Sequence, residues 1–179
     1  MIVRDPLADP APLIKRVYAY VAYRIGPGPD AEDVTSDVFE RALRYRASYD
    51  VAKGQAISWL IGIARRCVDE SMSGRPSSHG VELADSLVGL EDLEHDTLER
   101  LTIAAAVSRL EERDRELIAL RYGADLSARQ IAETLELKTN AVEVALHRAR
   151  ERLRSELELH EESDRVLPTS TRSASATLP

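Results

Sequence analysis

Cysteine is nearly absent from this chain: Cys67, within "WLIGIARRCVDE", is the single one in 179 residues. One thiol cannot build a disulfide framework, and without clustered Cys or His partners it makes no zinc site. It reads as a buried structural thiol. Long apolar runs are missing too, since no stretch approaches the roughly 18 apolar residues that span a bilayer. The opening "MIVRDPLADPAP" is interrupted by Arg4, Asp5, Asp9 and three prolines, so no signal peptide is read. No membrane insertion is expected, and the expected location is cytoplasmic. Positive charge is in deficit: 24 Lys and Arg face 31 Asp and Glu, for a net charge of -7. That excludes a protein that coats nucleic acid by bulk attraction, so any DNA binding must be local. The four histidines, His79, His95, His147 and His160, have neither ligand nor triad spacing. No catalytic residue, metal or cofactor is therefore expected.

What the chain does contain is helical periodicity. Residues 13–24, "LIKRVYAYVAYR", carry Leu13, Val17, Tyr20, Val21 and then Ile25 at helical spacing, ending at "GPGPD", where glycine and proline break the pattern. In "DAEDVTSDVFERA", residues 30–42, Ala31, Val34, Val38 and Ala42 fall on one face. Asp33, Asp37 and Glu40 stack on another. After a loop with Gly54 near its far end, a third helix is expected over 57–70, offering Trp59, Leu60, Ile63, Ala64 and Cys67 for packing. Residues 71–96 turn Ser- and Gly-rich and then acidic, as an interdomain linker would, with His79 and His95 exposed.

A second helical block follows, and its last segment is the most informative. Ser127 with Gln130 three residues on is a capping-box start, and Ile131, Ala132 and Leu135 give a short helix its buried face. A sharp turn is expected over 136–138, after which Val142, Leu146, Ala149 and Leu153 mark the inner stripe of a longer helix. A small residue at Ala132, a tight turn and a buried Val142 are what two steeply crossing helices need, so the segment reads as a helix-turn-helix. The expected fold is all-α: two small helical domains, 1–70 and 97–160, joined by a flexible linker, 71–96, with a disordered tail over 161–179.

In this order the pieces resemble an extracytoplasmic-function (ECF, group IV) RNA polymerase sigma factor of the sigma-70 superfamily. The resemblance covers residues 13–157. Its first half is carried by "DAEDVTSDVFERA", "YDVAKGQAISWLIGIAR" and Asp69, its second by "LEERDRELIALRYGADLSARQIAETLELKTNAVEVALHRARERL". It implies that the first domain, region two, grips core RNA polymerase and melts the start-proximal promoter element, while the second, region four, reads the upstream element. The helix matching 30–42 docks in this family on a coiled coil of the polymerase's largest subunit, which gives the acidic stripe a purpose, because complementary charge speeds encounter and fixes register. Core-polymerase contacts are accordingly expected from Asp30, Glu32, Asp33, Val34, Asp37, Phe39 and Glu40, with Val34 and Phe39 as apolar anchors. An anti-sigma factor is a further expected partner.

Start-proximal DNA is assigned to Arg41, Arg44, Tyr49, Lys53, Gln55, Arg65 and Arg66, with Arg46 beside them. The loop 49–55 would capture a flipped base of the non-template strand, and the basic residues would track its backbone. Trp59 is read as locking that loop onto its helix, with stacking on a base as the alternative. Upstream DNA is assigned to Arg115, Arg129, Lys138, Thr139, Asn140, Glu143, Val144, His147 and Arg148, with Arg150, Arg152 and Arg154 able to hold phosphates. The chain departs from the family pattern where relatives carry Lys or Arg, then Ser, then Arg: here stand Glu143, Val144 and Ala145. Glu136 replaces a common turn glycine, and the basic tract ending region two is thinned to "ESMSGRP". These departures motivate the competing reading of a sigma-like adaptor that binds polymerase or an anti-sigma factor with weakened DNA reading. A free-standing helix-turn-helix regulator leaves the first domain unexplained, and an enzyme has no residues to work with.

Overall fold

The computed structural model describes residues 5–74 and 94–166, with seven α-helices and no strand among them. Helix α1, Pro10–Ile25, begins on a proline whose missing N–H costs nothing at a helix start and ends at Gly26. Helix α2, Pro29–Tyr45, starts likewise and buries Ala31, Val34, Thr35, Val38 and Ala42 against its neighbours. Two 3-10 turns, Arg46–Ser48 and Val51–Lys53, lead through Gly54 into α3, Ala56–Ser73. Helix α3 thus outlasts its expected end at residue 70 by about one turn. Of the linker expected over 71–96, residues 75–93, with His79, lie outside the described residues.

The second half comprises α4, Glu94–Arg109, α5, Glu112–Ile118, a one-turn π segment, Ala119–Gly123, α6, Ala128–Leu135, and α7, Thr139–Val166. Ser127 and Gln130 form the expected capping box at the start of α6. Glu136 ends that helix in the left-handed conformation, φ 56°. Ile131, Ala132, Val142 and Leu146 are buried together where α6 packs on α7. Helix α7 continues to Val166, so the first residues of the tail expected to lack structure are helical, and 167–179 lie outside the described residues.

The two halves share one core. Val17, Tyr20 and Val21 of α1 join Leu117, Ala119, Leu120 and Ala124 in the same apolar cluster as Val38, Leu60 and Ile61. Tyr23, on the next turn face, packs against the smaller cluster of Val107, Leu110, Ile118 and Ala149. Full burial of side chains such as Leu117 and Leu120 stabilises by about 1.5–3 kcal/mol each. The π segment is what permits the approach. The Ala119 carbonyl accepts from the Ala124 N–H at 2.9 Å, and the extra residue in that turn aims Gly123 at α1.

A left-handed backbone is costly for an L-residue and free for glycine, while glycine loses more entropy on folding. Glu136→Gly is therefore expected to stabilise the protein by about 0.5–1 kcal/mol, the balance of those two effects. Chemical denaturation followed by circular dichroism checks this, and an unchanged midpoint would count against it.

Candidate polymerase and nucleic-acid interfaces

The acidic face of α2 lies open. Asp30, Glu32, Asp33, Asp37 and Glu40 are exposed and Phe39 is half-buried. Val34 does not belong with them. It is 6 % exposed and packs in the shared core, because it falls on the same helical face as Ala31 and Val38. An anchor on a partner must come from Phe39 and exposed neighbours such as Leu43. The stripe is also not cleanly separated from basic residues, since Glu40 pairs with Arg44 at 2.6 Å one turn on.

The loop 49–55 is built by its own residues. Asp50 Oδ1 accepts from the Ala52 N–H at 3.0 Å, and the Tyr49 hydroxyl donates to the Gly54 carbonyl at 3.1 Å. Gly54 itself sits at φ 148°, a region that L side chains rarely adopt. Tyr49 and Trp59 meet ring against ring, centroids 5.6 Å apart at 56°, so Trp59 does hold the loop to α3. Arg44, Arg66, Tyr45 and Trp59 border a cleft of about 520 Å³ between α2 and α3. Arg41 lies on its edge but spends its guanidinium on a two-pronged bond to Glu70, at 3.0 and 2.6 Å. That pairing holds the Glu70 carboxyl below its ordinary range and the guanidinium above its own.

Two arginines expected on DNA are instead structural. Arg65 donates to Glu116 at 2.8 Å and to the Thr134 carbonyl at 3.1 Å, which ties α3 to α5 and α6. Arg115 turns inward and donates through Nη2 to the Ser108 and Leu110 carbonyls at 2.7 and 2.9 Å, capping the end of α4. A guanidinium satisfies orphan helix carbonyls as readily as it binds phosphate, and nearby carbonyls win. Arg152 likewise bonds the buried Asp114, and Arg154 pairs with Glu151 at 2.9 Å. Arg129 pairs with Glu133 at 3.0 Å but stays exposed.

On α7 the picture is simpler. Asn140, Glu143, Val144, His147 and Arg148 are all exposed on one face, with Lys138 exposed and Thr139 half-buried at its start. Arg150 is exposed further along. The spacing i, i+3, i+4, i+7, i+8 makes these residues one surface about two turns long, opposite the buried Val142, Leu146 and Ala149.

Residues that periodicity did not single out carry the contact between the halves. Arg24, 4 % exposed, lies one turn beyond Tyr20 and donates to its hydroxyl at 3.1 Å. It also pairs with Glu112, with Glu116 at 3.4 Å and with Asp69 at 3.8 Å. Burial lowers its affinity for a proton, while Tyr20, Glu112 and Glu116 raise it, and the balance is upward. Arg16 donates to the Ala124 and Asp125 carbonyls at 2.8 and 3.0 Å. The available signal was Arg24 itself, a charge at a position where the helical period calls for a buried side chain.

Residues 12–71 match the family model of sigma-70 region 2, and residues 100–153 that of sigma-70 region 4. The ECF RNA polymerase sigma factor BldN of Streptomyces coelicolor is 32% identical over 139 residues, covering 74% of this chain and 53% of BldN. The chain thus spans about half the length of that relative. ECF RNA polymerase sigma factor SigW of Bacillus subtilis is 27% identical, covering 86% of this chain and 90% of SigW. Among solved structures, the sigma factor RpoE with the anti-sigma factor NepR from Bartonella quintana shares the fold at TM-score 0.65 and 21% identity, over 83% of this chain and 94% of that one. CnrH in complex with the cytosolic domain of CnrY does so at TM-score 0.59 and 23% identity, over 82% of each chain.

The role of Arg115 as a helix cap sets an expectation. Arg115→Ala should destabilise the protein by roughly 1.5–3 kcal/mol, the range for hydrogen bonds to a charged group, and leave the salt dependence of DNA binding unchanged. Denaturation midpoints and binding titrations at several salt concentrations check both. A flattened salt slope with unaltered stability would return Arg115 to the phosphates.

Proposed function

The chain belongs to the sigma-70 family as an ECF RNA polymerase sigma factor, and from that premise we propose that it binds core RNA polymerase, directs it to specific promoters and helps open them. We assign it to group IV of the family and to the cytoplasm. No helix among the described residues is long and apolar enough to cross a membrane. The observation that carries the reading is the pairing, in one chain, of an exposed acidic face on α2 with an exposed helix-turn-helix face on α7, each inside its own matched region.

The division of labour follows from the exposed chemistry. Asp33, Asp37 and Glu40 meet a basic surface of polymerase, the coiled coil of its largest subunit, with Phe39 as the apolar contact. Arg44, Lys53 and Arg66 follow the backbone of the melted strand, and the loop 49–55 receives a base that has left the stack. Asn140, Glu143, Val144, His147 and Arg148 enter the major groove of the upstream element, with Lys138 and Arg129 at phosphates. None of these steps forms or breaks a covalent bond on this chain. An anti-sigma partner is part of the proposal, supported by the two solved structures of the same fold, which hold NepR, an anti-sigma factor, and the cytosolic domain of CnrY.

The adaptor reading draws on Glu143, which is exposed where the family resemblance implies a basic residue and which phosphates repel. Transcription by purified core polymerase with this protein over a genomic library separates the two. Discrete start sites support the sigma factor. Core binding without them supports the adaptor.

Reversing Asp33 and Asp37 to lysine should cut co-purification with core polymerase while leaving the circular dichroism spectrum intact, because both side chains face solvent. Unchanged core binding would reduce the stripe to a solvated face.

Glu143 can accept a hydrogen bond from a cytosine amino group. Glu143→Lys should shift base preference at one upstream position by roughly 1 to 3 kcal/mol if the side chain reads a base, and raise affinity evenly across sequences if it only opposes phosphate. Promoter-library transcription with both proteins distinguishes these. Identical profiles and strengths would mean that Glu143 does not face DNA.

A further inference from the structure

While the fold consumes many of its arginines, one face of α7 is left unspent. The side chains of Asn140, Glu143, His147 and Arg148 are exposed and have no hydrogen-bond or ion-pair partner among the described residues. Arg129, Arg152 and Arg154, by contrast, each hold a carboxylate. In the middle of that face stands an apolar side chain. Val144 is 52 % exposed, with exposed Ala141 three residues before it and half-buried Ala145 beside it.

A lone surface valine asks for no explanation. The spacing here does. Asn140, Val144 and Arg148 stand at i, i+4 and i+8 and form one ridge along α7, with about 6 Å of rise between neighbours. An amide suits the N6 and N7 edge of adenine, and a guanidinium the O6 and N7 edge of guanine. Between them, the apolar group that the major groove offers a valine is the methyl on C5 of a pyrimidine. Valine is short and holds few rotamers, so it reaches a base only if the helix comes close. Ala141 and Ala145, with nothing beyond Cβ, let it do so. Lys138 at the start of the helix and Arg148 and Arg150 further along are exposed cations, which favours a phosphate-lined groove over an apolar protein surface as the occupant. Glu143 accepts from a cytosine amino group and is repelled by the acceptor edge of guanine, so the residues at 143 and 144 both favour a pyrimidine.

We propose that Val144 is a specificity-determining residue that reads the 5-methyl group of a pyrimidine in the upstream element, within about two base pairs of the bases met by Asn140 and Arg148. The inference rests on the sigma-factor reading, which brings α7 to duplex DNA, and deepens it by naming the chemical group that is read. Thymine carries that methyl in any DNA. A 5-methylcytosine carries it only where a methyltransferase has acted, and adds the amino group that suits Glu143.

The test removes methyl groups from the upstream element alone. Duplexes with two randomised segments are assembled so that the start-proximal segment always contains thymine. The upstream segment is made with thymine, with uracil in its place, or with uracil and 5-methylcytosine. Uracil pairs as thymine does and lacks only the methyl. Core RNA polymerase with the full-length chain should transcribe members that share a pyrimidine at one upstream position, and uracil should lower their yield roughly fourfold, the worth of one methyl group taken out of water. Val144→Ala, a change that an exposed helix position tolerates, should bring the thymine yield down to the uracil yield and keep the circular dichroism spectrum. Recovery with 5-methylcytosine would support it as a second source of the methyl, and no recovery would assign the methyl to thymine alone. Equal yields from thymine and uracil duplexes, or a uracil loss that Val144→Ala leaves in place, would overturn the proposal and leave the ridge to a protein partner. Failure of the sigma-factor reading shows separately, as no transcripts from any duplex, and would overturn the role of Val144 with it.

Discussion

The distance between the backbone of α1 and the turn at Gly123 is the constraint from which much of the architecture follows. With no side chain at that position, the π turn can lie against Tyr20, and a Cβ there would press to 2.7 Å. That approach lets Leu117, Ala119 and Leu120 reach Val17, Tyr20 and Val21 and merge two small cores into one cluster. Burial of Arg24 is its electrostatic counterpart. A guanidinium enclosed to this degree is tolerated only because Tyr20, Glu112 and Glu116 surround it, and removing such partners from a buried charge is costly.

The same constraint explains how the arginines are used. In a chain of net charge -7, basic residues are scarce relative to acidic ones. The fold takes several for itself: Arg16, Arg65, Arg115 and Arg121 donate to backbone carbonyls, and Arg24 and Arg152 sit against acidic side chains. Among those left exposed, Arg44 and Arg66 border the cleft between α2 and α3, and Arg148 and Arg150 lie along α7. A small number of well-placed cations suits the role we propose, in which polymerase would deliver the chain to DNA and sequence would be read through base edges and an unstacked strand rather than through many phosphates.

Features set by near neighbours in the chain were legible in the sequence. The capping box at Ser127, the turn at Glu136, the inner stripe from Val142 and the acidic face of α2 are all patterns within a few residues, and each is present. What the sequence did not disclose was set by distant residues. Arg65 and Arg115 have the composition of phosphate ligands, and nothing local says that Thr134 or Leu110 will offer a carbonyl. Val34 was a different case: its helical face marked it as core, and only its place among the charges suggested an anchor. The union of the halves through Gly123 could not be read from "RYGADL", because a glycine in such a stretch equally suits an ordinary turn.

Hydrogen exchange of the backbone amides at the meeting of the halves tests the account most directly. The amides of Gly123, Ala124 and Leu126 lie in this interface, and those of Ala124 and Leu126 are bonded within the π turn and its exit. In the free chain they should be protected together with the buried turns of α1, and Glu116→Lys, which removes the partner of Arg24 and Arg65, should lower that protection while the α6–α7 crossing stays protected. Amides at 123–126 that exchange in the free chain as freely as those of the exposed loop 49–55 would contradict the account, because the halves would then not be held together.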